Sequence, residues 1–100
     1  MKILCVCKQG IVRSGALAWL LRLDGHDALS VGYETNAIET IRMVCGWADL
    51  IIALDNASYH SITLEFVSKS WTFDVGEDRW HNPADPELHS ILRKMISERL

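Results

Sequence analysis

Proline and glycine are scarce in this chain, at two and six of its 100 residues. With 49% apolar and 23% charged residues, that scarcity excludes a disordered tail, a collagen-like repeat and a low-complexity linker. The length excludes a second independent domain, so residues 1–100 read as a single domain whose site comes from one core and its loops. Positive charge is in short supply as well. Ten Lys and Arg against 13 Asp and Glu leave a formal net charge of -3, and the basic residues are scattered. Nucleic-acid binders show a basic excess or stripe, so no nucleic-acid partner is expected, although one local anion site stays open.

Cysteine is sparse and odd in number: Cys5, Cys7 and Cys45. Small secreted domains carry dense, even sets, so this chain reads as reduced and cytoplasmic. Cys5 and Cys7, two apart in an apolar run, are read as pointing to opposite faces of a strand and therefore as poor disulfide partners. There is no Cys-x-x-Cys pair, and His26, His60, His81 and His89 show no zinc spacing, so neither a metal nor another cofactor is expected. Long apolar runs are missing too. Residues 3–7 and 48–54 are far too short to span a bilayer, and neither a signal peptide nor a membrane partner is expected.

What the chain does contain is alternation. Residues 3–6 are an almost wholly apolar run followed by the turn signal Lys8-Gln9-Gly10, which suits a strand buried on both faces. Residues 14–23 place Leu17, Leu20 and Leu21 at helical spacing, with Ser14 near the start and Gly25 at the end. A second strand is expected over 27–32. A helix is expected over 36–45, with Ile38, Ile41 and Val44 in register, Asn36 as its cap and Gly46 as its stop. Residues 50–54 are the clearest strand. Asp55 then opens a short helix over 55–64 and reads as a cap rather than a chemical group. A fourth strand over 71–75 and a polar loop over 76–86 precede a final helix from Pro86, with Leu88, Ile91, Leu92, Met95 and Ile96 on one face. The expected fold is therefore α/β: a three-layer sandwich around a four-stranded parallel sheet of order 2-1-3-4, flavodoxin-like, with its switch point at the carboxyl end of the first strand.

At that switch point stands Cys7-Lys8-Gln9-Gly10-Ile11-Val12-Arg13-Ser14. Five residues between Cys7 and Arg13 can wrap into a cradle of inward N–H groups, and the following helix N-terminus adds its dipole and free donors. Such a nest suits a tetrahedral oxyanion. The same donors stabilise a thiolate at Cys7. Arg13 can hold two oxyanion oxygens through its fork, and the Ser14 hydroxyl can hydrogen-bond the thiolate.

Residues 2–14, with Cys7 and Arg13-Ser14, resemble the N-terminus of the low-molecular-weight protein tyrosine phosphatases. Ser30-Val31-Gly32, residues 47–55 ending in Asp55, and the loop 74–80 are similar to later segments of that family in the same order. The likeness is greatest to its short microbial and phage members. The resemblance implies hydrolysis of a phosphomonoester in two steps. Cys7 forms a phosphocysteine, Arg13 and the loop amides hold the transferring group, and a loop aspartate serves as general acid. Asp78 is the first choice for that acid, with Asp74 and Asp85 as competitors. Lys8, Gln9, Gly10, Ile11, Val12 and Ser14 would surround the phosphate, and Trp80 and His81 would line the site. The partner implied is a phosphorylated protein or a small phosphomonoester, and the expected assembly is a monomer or weak dimer.

The family loop reads Cys-x-Gly-Asn-x-Cys-Arg-Ser. Here Gln9 replaces its Gly, Gly10 its Asn and Val12 its second Cys, while Gly15 replaces a common Pro. Gly10 can still supply an unusual backbone conformation. These departures keep open a phosphate-binding or interaction module that lost catalysis. Arsenate reduction calls for relay cysteines after the third strand, and Cys45 precedes it.

Overall fold

In a computed structural model describing residues 1–77 and 79–100, the expected alternation is present. The elements are β1 (Lys2–Cys7), α1 (Arg13–Leu23), β2 (Asp27–Gly32), α2 (Ile38–Trp47), β3 (Leu50–Ala53), α3 (Asn56–His60), β4 (Ser70–Thr72) and α4 (Pro86–Arg99). A short 3-10 helix, Leu64–Lys69, joins α3 to β4. All strand pairs are parallel, in the order β2-β1-β3-β4. β1 is paired on both sides and buried from Ile3 to Cys7, which is why its sequence is apolar without alternation.

Side chains of β1 and β3 feed two core layers. Ile3, Cys5, Cys7, Leu50 and Ile52 meet Leu17, Leu20 and Leu21 of α1 and Leu88, Leu92 and Ile96 of α4. Leu4, Val6, Ile51 and Ala53 meet Ile41 and Cys45 of α2. Cys5 and Cys7 thus share one face of the sheet, which corrects the expectation of opposite faces. Strand side chains alternate with a period of two, so residues two apart point the same way. All three cysteines are free thiols. α1 has no side-chain N-cap. It is held by its apolar stripe, each fully buried Leu contributing roughly 1.5–3 kcal/mol.

The boundaries differ from the periodicity where tertiary contacts intervene. α2 begins at Ile38 because Asn36 is used elsewhere: its Oδ1 accepts the Gly32 N–H at 2.9 Å and closes the turn after β2. It runs through Gly46 to Trp47 and stops where Ala48 turns extended. α3 ends at His60, since Thr63 is already extended and no apolar stripe continues. The β4 ladder closes at Thr72, yet Phe73 N–H still reaches Ala53 O (2.7 Å) and Val75 N–H reaches Leu54 O (3.1 Å). That continuation carries the chain beside the carboxyl ends of β1 and β3. No helix among the described residues is long and apolar enough to cross a membrane.

Candidate active site

β1 ends at Cys7 in the middle of the sheet, and the chain turns through residues 8–12 into α1. The outer side of this turn is fastened to β2 and the residues after it. Cys7 O accepts Tyr33 N–H (3.1 Å) and Lys8 O accepts Glu34 N–H (3.0 Å). Gln9 O accepts Thr35 Oγ1 (2.8 Å), and Gly10 O accepts Ser30 Oγ (3.0 Å). In a trans peptide the C=O and the next N–H point in opposite directions. Four carbonyls fastened outward therefore turn the following N–H groups inward. The Gly10 N–H shows this directly, donating to Cys7 Sγ at 3.2 Å.

Two glycines make the fastening possible. Gly10 has φ +76°, and a Cβ there would lie 2.4 Å from Gly32 N. A Cβ on Gly32 would lie 2.2 Å from the Gln9 carbonyl carbon. The cradle rests on the end of β2 backbone against backbone, so the Gly10 conformation anticipated from its sequence is required by both φ and space.

Cys7 is 2% exposed, and its Sγ lies 3.0 Å from the buried Ser14 Oγ. Arg13 follows the cradle and is 1% exposed. A buried cation needs charged or polar partners. Arg13 Nη1 donates to Asp55 Oδ2 at 2.5 Å and to Gly76 O at 2.9 Å. Asp55 follows β3 and caps α3, accepting Ser58 N–H at 2.7 Å. Partial burial works against the charge on Asp55. Hydrogen bonds from Ser58 and Arg13, with the Arg13 charge, outweigh it and hold the carboxyl below its usual range. Burial drives the neighbouring Cys5 thiol far upward, so Cys5 stays neutral beside the cradle.

The remaining expected residues divide. Lys8 is half-exposed and faces Glu34 at 4.0 Å. Gln9 and Ile11 present exposed side chains, Val12 occupies the N-cap position of α1, and His81 is exposed. Trp80 is 5% exposed in the α1–α4 core layer, to which Cys7 also belongs, and the Arg79 guanidinium lies 4.1 Å from its ring centre. Asp78 lies outside the described residues. Of its competitors, Asp85 caps α4, accepting the N–H groups of Glu87 and Leu88. Asp74 is exposed and accepts Gly76 N–H at 2.9 Å.

Asp55, Ser30, Thr35 and Gly32 belong to the constellation. Ser30, Gly32 and Asp55 stand in the segments that resemble the phosphatase family, and Asp55 also carries a cap signal, but no signal in the sequence assigned any of the four a role beside the cradle. A cleft of about 400 Å³ lies at the other end of the sheet, lined by Arg22, His26, Asp27, Ala28, Leu29 and Trp47, and shares no residue with the cradle.

Sequence comparison finds no matching family model and no matching curated protein. Solved structures do match, over nearly the whole chain. A low-molecular-weight protein tyrosine phosphatase from Bacillus subtilis aligns with TM-score 0.69 and 17% identity, covering 98% of this chain and 96% of its own. The arginine phosphatase YwlE from Geobacillus stearothermophilus aligns with TM-score 0.66 and 19% identity, covering 97% and 91%. A YwlE mutant with a phosphorylated active-site serine aligns with TM-score 0.64 and 17% identity, covering 98% and 95%. With the parallel sheet in the order β2-β1-β3-β4, the chain has the fold of the low-molecular-weight protein tyrosine phosphatases.

Proposed function

We propose that this protein is a phosphomonoester hydrolase that works through a phosphocysteine on Cys7. The observation that carries the reading is the placement of Cys7 Sγ at the floor of a cradle. The Gly10 N–H and the Ser14 hydroxyl reach the sulfur, and the buried Arg13 stands at the cradle's end. The thiolate is the nucleophilic form of a cysteine. The thiolate attacks phosphorus, an S–P bond forms, and the ester P–O bond breaks. The general acid, for which we propose Asp78, gives its proton to the departing oxygen. The inward amides and Arg13 hold the oxygens of the transferring group, where charge is greatest. Water then attacks phosphorus, its proton passing to the same aspartate. The S–P bond breaks, and Ser14 Oγ is within reach to hydrogen-bond the sulfur as it leaves. The phosphoserine named for the YwlE mutant is the kind of species this route implies. The steps call on no metal or other cofactor.

The substrate class we favour is a phosphorylated protein with phosphotyrosine-like ester chemistry, or a small phosphomonoester. On this reading the site is shallow, and we assign its rim to Lys8, Gln9, Ile11 and His81, whose side chains are exposed or half-exposed. Arsenate reduction has little support here, because Cys45 lies in the α2 core layer, across the sheet from Cys7.

The test is hydrolysis of p-nitrophenyl phosphate in the presence of EDTA, with Cys7→Ser beside the wild type. Turnover by the wild type and none by Cys7→Ser, which still binds phosphate, is the expected result. Equal turnover by both overturns the mechanism. Phosphate binding without turnover by the wild type assigns the protein to a non-catalytic oxyanion-binding role.

A further inference from the structure

We propose that Thr35 is a positioning residue for the cradle: its hydroxyl fixes the peptide between Gln9 and Gly10 so that the Gly10 N–H faces Cys7. The proposal rests on the reading of the cradle given above and deepens it, since Thr35 lies outside residues 7–14 and carries no sequence signal for the role.

Three observations converge on it. First, one peptide unit links the two groups. Thr35 Oγ1 donates to Gln9 O at 2.8 Å, and the N–H of that same peptide, on Gly10, donates to Cys7 Sγ at 3.2 Å. The trans peptide is planar, with its C=O and N–H pointing in opposite directions, so holding one aims the other. A hydrogen bond accepted by the C=O also polarises the N–H and strengthens what it donates. Second, the turn by itself does not fix this peptide. Rotating it changes ψ of Gln9 and φ of Gly10, and glycine accepts φ of either sign. The orientation therefore needs a hold from outside the turn. The Gln9 carbonyl lies against Gly32, where a Cβ would come within 2.5 Å of its oxygen, and Thr35 supplies the donor. Third, Thr35 is itself held. Its N–H and that of Asn36 both reach Gly32 O, at 3.3 and 3.0 Å, and Asn36 Oδ1 accepts the Gly32 N–H at 2.9 Å. Gly32 is the residue of β2 in register with Cys7 of β1. The hydroxyl and the sulfur are thus both referred to one pair of strand ends.

Two substitutions separate the hydroxyl from the rest of the side chain. Thr35→Val keeps the β-branched shape and removes the donor, leaving Gln9 O to water. Thr35→Ser keeps the donor and removes the methyl group. Thr35 is exposed, so both variants should fold with little change in stability. Exposure also lets water replace part of the lost bond, which sets the effect at the modest end.

The experiment measures inorganic phosphate binding by calorimetry and p-nitrophenyl phosphate kinetics for the wild type, Thr35→Val and Thr35→Ser. The Gly10 amide is followed in each by proton–nitrogen NMR, and melting temperature is recorded. The expected result for Thr35→Val is a loss of roughly twofold to tenfold in phosphate affinity and in kcat/KM, the range of one lost neutral hydrogen bond. The Gly10 amide resonance should shift in the same variant. Thr35→Ser should recover affinity, kinetics and resonance together, a rescue that a merely structural role for the side chain does not require. Unchanged or tighter phosphate binding in Thr35→Val, beside a wild type that binds, would overturn the proposal alone. So would a loss that Thr35→Ser shares in full, or one that leaves the Gly10 resonance unmoved. A wild type that neither binds nor hydrolyses phosphate would overturn the reading of the cradle and this proposal with it. If the wild type binds without turnover, hydrolysis is refuted and the affinity comparison still decides the role of Thr35.

Discussion

Replacing Gly10 by Ala probes the cradle where its construction is most exacting. The residue sits at φ +76°, and an added methyl would lie 2.4 Å from Gly32 N and 2.6 Å from Val31 C. An L-residue in the left-handed region costs about 1–2 kcal/mol. Forcing extra bulk into a packed site typically costs about 1–3 kcal/mol more. Here the obstruction is the β2 backbone, so no side chain can swing away to relieve it. The sum is about 2–5 kcal/mol, which for a domain of this size corresponds to a melting temperature lowered by roughly 10–30 °C. The same displacement would pull the Gly10 N–H off Cys7 Sγ and its carbonyl off Ser30, so phosphate binding should fall with stability. Gly46→Ala is the control. It lies in α2 with nothing within 4 Å of the added Cβ, and Ala there should stabilise by roughly 0.5–1 kcal/mol. Thermal melts of the three proteins, with phosphate titrations, decide the matter. If Gly10→Ala melts within about 2 °C of the wild type, a shift worth well under 1 kcal/mol, the cradle does not rest on β2 as described.

Asp85→Ala should lower stability by about 1 kcal/mol through loss of the α4 cap, Asp85→Ser should restore most of it, and neither should change the chemical step, as melts and kinetics will show. Asp78→Asn should slow p-nitrophenyl phosphate turnover on the order of 10²–10⁴-fold with little effect on phosphate affinity; the same loss in Asp74→Asn instead would move the acid. Asp55 also predicts a pH dependence. Its folded carboxyl is held below the ordinary value, so its contribution is present above that value and fades as pH falls through the folded one. The melting difference between wild type and Asp55→Asn should be widest near neutrality and close in acid, below about pH 4. A difference that is constant across that range would refute the ionic character of the contact.

The architecture was legible because its signals are local. The unbroken apolar run of β1 announces a strand buried on both faces, and the Leu88, Leu92 and Ile96 spacing announces a helix with one wet side. Element ends were less legible. Asn36 carries a cap signature, yet its oxygen is taken by Gly32. Trp80 stands in a polar loop, yet its ring is drawn into the α1–α4 layer, where burial of so large an apolar surface outweighs its sequence neighbourhood.

By itself, the sequence determined the parallel α/β order, the position of Cys7 at the end of a central strand, and the five-residue interval to Arg13. Those follow from periodicity and turn chemistry over a few residues. The tertiary structure alone decided what the cradle leans on and what holds Arg13. Gly32 touches Gln9 across a register set by the pairing of β1 with β2. Asp55 and Gly76 reach Arg13 from 42 and 63 positions away. Such contacts leave no local pattern, because they arise where parallel strands end side by side and bring distant turns to one edge of the sheet.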